Sequence, residues 1–134
     1  MSQENVELVR SMNAAFVAGE VEGLICLFHE DAEWCDLRHA PDAPEVVRGR
    51  AAILAIWTQW TEVFDELKAE VFEYIDADPW VICDSRWYGR GKGSDVTTEV
   101  RGADAYELRE AKITRVVLGY AEIATALKAV ALEG

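Results

Sequence analysis

The sequence predicts an α+β fold in which helices come first and antiparallel strands follow. Two observations carry this. Val6, Val9, Met12, Asn13, Phe16 and Val17 recur at helical spacing near the start. From Leu67 onward, apolar and polar residues alternate in runs separated by turn residues. No internal repeat or linker interrupts the 134 residues, so residues 1–134 are expected to form one domain. Segregated helices and strands place the helices on one face of a bent sheet.

The elements follow in order. Gly19 ends the first helix, as a glycine past a helix C-terminus can. A second, shorter helix carries Leu24, Ile25, Leu27 and Phe28. Ala32 to Asp36 alternates like a strand, with Trp34 and Asp36 on one face. Pro41 and Pro44 make Arg38 to Arg48 a loop. Gly49 opens a third helix whose Ile53, Trp57, Trp60 and Phe64 form one stripe. Leu67 to Ala77 is a strand, and Asp76 to Pro79 a turn. Trp80 to Arg90 and Val96 to Arg109 form a long hairpin around Gly89, Gly91 and Gly93. Glu110-Ala111 turns the chain into a strand from Lys112 to Tyr120, and a short helix, Ile123 to Val130, closes it.

Composition narrows the function. With 51% apolar and 28% charged residues, the chain can offset its conformational entropy and is not disordered. Its apolar runs, such as Val116-Val117-Leu118, fall far short of the roughly 18 residues of a membrane span. The opening Met1 to Asn5 lacks the basic and apolar regions of a secretory signal and is not read as one. Thirteen basic residues against 25 acidic give a net charge of −12, which repels phosphate backbones and anionic lipid. Nucleic-acid and membrane-surface partners are therefore not expected. Cys26, Cys35 and Cys83 have no CxxC spacing and read as reduced, buried thiols of an expected cytoplasmic chain.

Strand faces give the candidate site. Val100, Gly102, Asp104, Tyr106 and Leu108 share one face of their strand. Glu99, Arg101, Ala103, Ala105, Glu107 and Arg109 share the other, expected in solvent or at a polar interface. A carboxyl such as Asp104 on an apolar face must be hydrogen-bonded, paired or protonated. Thr114, Val116, Leu118 and Tyr120 make an inner face on the last strand. Two aspartates, Asp36 and Asp104, among aromatic and aliphatic residues suggest a pocket with acid–base potential. Met12, Phe16, Trp57, Trp60 and Trp87 either wall that pocket or are plain core, with Phe64 packing behind them. Cys83 and Ser85 accompany Trp87; a one-residue slip would put Asp84 and Arg86 there instead.

Other motifs resolve to plainer roles. His29, Glu30, Asp31 and Glu33 would be scattered by a helix end and an alternating strand, so no metal site is expected. Gly89, Gly91 and Gly93 lack the GxGxxG pattern and precede a strand, which fits a hairpin turn. His39 in the Pro-rich loop either relays protons or is solvated. No cysteine has a convincing histidine partner for nucleophilic work.

Taken together, several short stretches resemble the nuclear transport factor two-like superfamily, and within it the SnoaL-like group. They are Glu4-Asn5-Val6 with Ala15-Phe16 and Gly19, Leu27 to Trp34, Arg48 to Ile53, Gly89 to Ser94, and Tyr106 to Ile113. Their order and spacing cover nearly the whole chain. The resemblance implies a cone: a strongly curved, mainly antiparallel sheet wrapped on three N-terminal helices, with a short C-terminal helix, a pocket at the open end and a homodimer through the sheet. Two departures stand out. Glu20 replaces an aspartate that usually caps the second helix. Glu110-Ala111 replaces a usual Asp-Gly, so a different turn type or a bulge is expected there.

The resemblance also implies chemistry. Against ketosteroid isomerase, Asp36 falls on the general base and Asp104 on the protonated, hydrogen-bond-donating aspartate, while Met12 falls on the oxyanion tyrosine and cannot donate. SnoaL-like polyketide cyclases use a pocket aspartate as acid–base for ring closure, a role open to Asp36 or Asp104. The expected function is cofactor-free proton transfer on a cyclic or polycyclic carbonyl compound. Asp36 and Asp104 would be catalytic, and Met12, Phe16, Trp34, Trp57, Trp60, Trp87, Val100, Tyr106, Val116, Leu118 and Tyr120 would bind a small apolar or carbonyl-containing molecule. The alternatives are a non-catalytic ligand-binding or dimerisation module, and an epoxide hydrolase using Asp84 and Arg86.

Overall fold

The structure is a computed structural model that describes residues 2–37, 46–93 and 95–133. Its elements are α1 (Ser2–Val17), α2 (Val21–Leu24), a 3-10 turn (Ile25–Leu27), β1 (Phe28–Asp36), β2 (Val46–Arg48), α3 (Arg50–Val63), β3 (Phe64–Ala77), β4 (Trp80–Gly91), β5 (Thr97–Arg109), β6 (Lys112–Tyr120) and α4 (Ile123–Glu133). The strands form one sheet in the order β2-β1-β6-β5-β4-β3. Only β1 and β6 run parallel; every other neighbouring pair is antiparallel. This is the curved α+β cone that the sequence leads one to expect. No described helix is long and apolar enough to cross a membrane. His39, Pro41, Pro44 and Ser94 lie outside the described residues.

Period-two alternation divides β4 between two cores. Val81 and Cys83 point into the larger one, between the sheet and α1 to α3, with Val9, Phe28, Ile53, Trp57, Ile113, Val116 and Leu118. Trp80 and Ile82 point the other way, into a cluster with Ala103, Ala105, Ala126 and Val130. The helices therefore do not all share one face: α4 covers the opposite side. That corrects the expected exposure of Ala103, Ala105 and Glu107, which are 0%, 0% and 6% exposed. Alanines on β5 leave room for a helix to lie against the strand. The buried Glu107 carboxylate accepts hydrogen bonds from Thr114 Oγ1 at 2.7 Å and Arg109 at 3.3 Å.

Local departures shape the site end of the sheet. Phe28 starts β1 rather than ending a helix, because α2 stops after one turn. Val46–Arg48, within the expected loop, adds an edge strand along β1, joined to it by an Arg48–Glu33 ion pair. The β5–β6 register shifts between Ala103 and Ala105, where Gly119 takes φ 94°. This bulge breaks the alternation of β6. Val116 and Leu118 face the larger core, but Tyr120 packs with the α4 cluster, which corrects its expected inner position. Gly102 sits opposite, where a Cβ would come within 2.7 Å of the Tyr120 carbonyl oxygen. At the other end of β6, the turn stays tight: Glu110 and Ala111 both adopt positive φ, 53° and 62°, and the irregularity falls between Glu107 and Leu108. So the chain accepts the strained turn and carries a bulge beside it.

Candidate functional site

Three strands bring the two expected aspartates to one region. Asp36, at the end of β1, stands in register with Leu118 of β6. The bulge after Leu118 lies opposite Asp104 of β5. Asp36 lines a cavity of about 180 Å³ with Trp60, Phe64, Leu67, Trp87, Tyr88, Gly89, Thr98 and Val100. Most of these residues are aromatic or aliphatic, and Asp36 is the one carboxylate among them. Trp60 and Phe64 reach it from the end of α3 and the start of β3. Phe64 packs its ring against Gly89 and is also part of the cavity wall.

A second, much smaller space of about 10 Å³ lies among Met12, Asn13, Phe16, Leu24, Trp34, Trp57 and Tyr106, and shares Trp60 and Trp87 with the cavity. Aromatic edges surround it. Phe16 meets Trp57, Trp60 and Trp87 edge-on at centroid distances of 5.9, 6.1 and 5.5 Å. Trp34 lies 5.8 Å from both Trp57 and Trp60. The indole N–H groups of Trp34 and Trp57 are buried without a hydrogen-bond partner among the described residues.

Asp104 is 3% exposed and is an acceptor. Ser85 Oγ and Trp87 Nε1 each donate to its Oδ2 at 2.9 Å, and the Gly119 N–H donates to Oδ1 at 3.1 Å. The bulge frees the Gly119 N–H from the ladder, and the carboxylate receives it. The described lining of neither space includes Asp104. This differs from a carboxylic acid donating to a bound ligand: both its oxygens face N–H groups, which only donate. Its reach to the cavity runs through the Trp87 ring that it anchors. Cys83, in register with Asp104, has its thiol pushed well above the usual range by burial and then by the Asp104 charge, with Arg10 opposing.

The remaining candidates divide clearly. Met12, Phe16, Trp34, Trp57 and Tyr106 border the small space, Val100 the cavity, and Trp60 and Trp87 both. Val116 and Leu118 fill the core beneath, each 1% exposed. Trp87 shares its face with Cys83 and Ser85. Asp84 and Arg86 point outward into ion pairs, Arg86 with Glu70 at 2.9 Å and Glu99 at 2.7 Å, and Asp84 with Arg101 at 3.3 Å. Cys26 is exposed, against expectation, whereas Cys35 and Cys83 are buried. Among the described residues no three His, Cys, Asp or Glu side chains gather as a metal site would need.

Asn13, Leu67, Tyr88 and Thr98 were not legible as site residues. Asn13 carried a signal, a buried amide within the apolar stripe of α1. Leu67, Tyr88 and Thr98 carried none, because their place at the wall depends on strand pairing.

Comparison with known proteins agrees with this architecture. The family described as the SnoaL-like domain matches residues 9–116. No curated protein matches the chain in sequence. Among solved structures, a protein of ketosteroid isomerase-like fold from Catenulispora acidiphila, in complex with trimethylamine, is 22% identical with a TM-score of 0.73, covering 89% of this chain and 88% of that one. An NTF2-like protein from Burkholderia xenovorans is 26% identical, TM-score 0.69, covering 87% and 88%. TerC, co-crystallised with polyporic acid, is 19% identical, TM-score 0.71, covering 97% and 95%. The family match spans most of the chain, and these structures share its fold: the chain belongs to the SnoaL-like domain family.

Proposed function

We propose that the chain is a small-molecule enzyme of the ketosteroid-isomerase and polyketide-cyclase type, in which Asp36 moves a proton on a cyclic carbonyl compound. The observation that carries this is Asp36 on the wall of an otherwise largely apolar, aromatic cavity. A carboxylate there removes a proton from the carbon beside the carbonyl, and the same group returns it at another carbon of the enol or enolate. Isomerisation, ring closure and dehydration share that step. The cavity, about 180 Å³, lies below the roughly 300–1,000 Å³ usual for drug-sized ligands. One ring therefore fits better than a fused set. Asp104 acts as a positioning residue, holding Trp87 against the cavity.

The test is proton exchange in heavy water at the carbons beside the carbonyl of one-ring ketones. Exchange above the buffer rate that falls about 10²- to 10⁴-fold in Asp36→Asn is the expected result. Exchange at the buffer rate, or an unchanged Asp36→Asn variant, would refute the assignment.

A second reading is a ligand-binding module without turnover. Met12 in place of a hydroxyl donor favours it, and similar structures were solved in complex with trimethylamine and co-crystallised with polyporic acid. Binding without any exchange would select it. The homodimer through the sheet also stays a proposal. Phe72, 47% exposed beneath the Arg101 guanidinium on the outer face, is its candidate contact. Sedimentation of wild type and Phe72→Glu checks it: a dimer in the first and a monomer in the second supports the contact.

A further inference from the structure

We propose that the indole N–H groups of Trp34 and Trp57 form a hydrogen-bonding subsite for the carbonyl oxygen of the ligand. This rests on the cavity taking a small carbonyl compound, and it assigns the donors that Met12 and Asp104 do not supply. Trp34 is 6% exposed and Trp57 1%, and neither indole N–H has a partner among the described residues. Folded proteins rarely leave a buried donor unpaired, because its lost hydration is not repaid. Here the two tryptophans that carry such donors border one space.

The chemistry of the missing partner follows from its surroundings. An indole N–H only donates, so the partner is an acceptor. No lysine or arginine is found in the described lining of either space, and the chain carries a net charge of −12, so a carboxylate or phosphate would be buried without a counter-charge. A neutral carbonyl oxygen meets both conditions. The space of about 10 Å³ holds one atom of that kind, being close to the least volume that admits a single water. Trp60 and Trp87 wall both this space and the cavity, so an oxygen seated here leaves its ring on the cavity side. Phe16 stands edge-on to both of those rings.

The experiment compares cyclohexanone with methylenecyclohexane, a hydrocarbon of nearly the same shape, by the indole N–H resonances of the ¹⁵N-labelled protein. Trp34→Phe and Trp57→Phe assign the two peaks. Cyclohexanone is expected to move both downfield and to bind about tenfold more tightly than the hydrocarbon. Either variant is expected to remove most of that preference. Equal binding of the two probes, or indole resonances that respond alike to both, would overturn the subsite. A long-lived water seen at both N–H groups in the free and the ketone-bound protein would overturn it too. The wild-type spectra decide even if a variant fails to fold. Ketone exchange that depends on Asp36 without any indole response sinks the subsite alone. An indole response without exchange sinks the catalytic reading alone.

Discussion

Replacing Asp104 by asparagine asks whether this carboxyl is chiefly an acceptor built into the fold. Its two oxygens receive Ser85 Oγ at 2.9 Å, Trp87 Nε1 at 2.9 Å and the Gly119 N–H at 3.1 Å. An amide keeps one acceptor oxygen and turns the other into an NH₂ donor. If that NH₂ takes the Oδ1 position it opposes the Gly119 N–H. If it takes the Oδ2 position it opposes the Trp87 N–H, although the Ser85 hydroxyl can reverse. Either way one bond to a charged acceptor is lost and one donor is left buried. Each such loss is worth about 1–3 kcal/mol, so a destabilisation of about 2–3 kcal/mol is expected. For a chain of this length that lowers Tm by roughly 7–10 °C. Urea unfolding followed by tryptophan fluorescence measures it, and the Trp87 indole resonance should move with it. A change under about 0.5 kcal/mol with an unmoved Trp87 peak would refute the acceptor role and return Asp104 to the donor role the resemblance implies.

Two further outcomes follow from single features. Ala111→Gly should stabilise the protein by about 0.5–1 kcal/mol, because Ala111 holds φ 62° at an exposed turn and glycine does so without strain; a loss of stability in urea would show that the turn is unstrained. Cys83 should resist alkylation until the protein unfolds, whereas exposed Cys26 reacts in the native state. Burial raises the Cys83 thiol above its usual 9.0, so the unfolded chain releases that proton first. The Cys83 contribution is thus intact below pH 9 and declines as pH rises beyond it; unfolding free energies at pH 8 and 10, with and without Cys83→Ala, check the sign.

Much of the fold was open to reading because side-chain period follows backbone geometry. Val100 and Tyr106 on β5 and Trp87 on β4 face inward as their spacing requires, and Trp87 keeps the register that leaves Asp84 and Arg86 outside. Tyr120 was misread because a single glycine with positive φ adds a residue to β6 and turns everything after it. Ala103 and Ala105 were misread because a polar-looking strand face does not show that a distant helix will cover it.

Composition, periodicity and motif order by themselves determined the fold class and the placing of both aspartates on strands. These are local properties, repeated along the chain. Tertiary structure alone decided what each aspartate faces. Asp36 stays at a cavity wall because Phe64, Leu67 and Trp60 arrive beside it from elements 24 to 31 positions away in the sequence. Asp104 is withdrawn from that wall because strand pairing aims three donors at it, and an acceptor ringed by donors is held where it is.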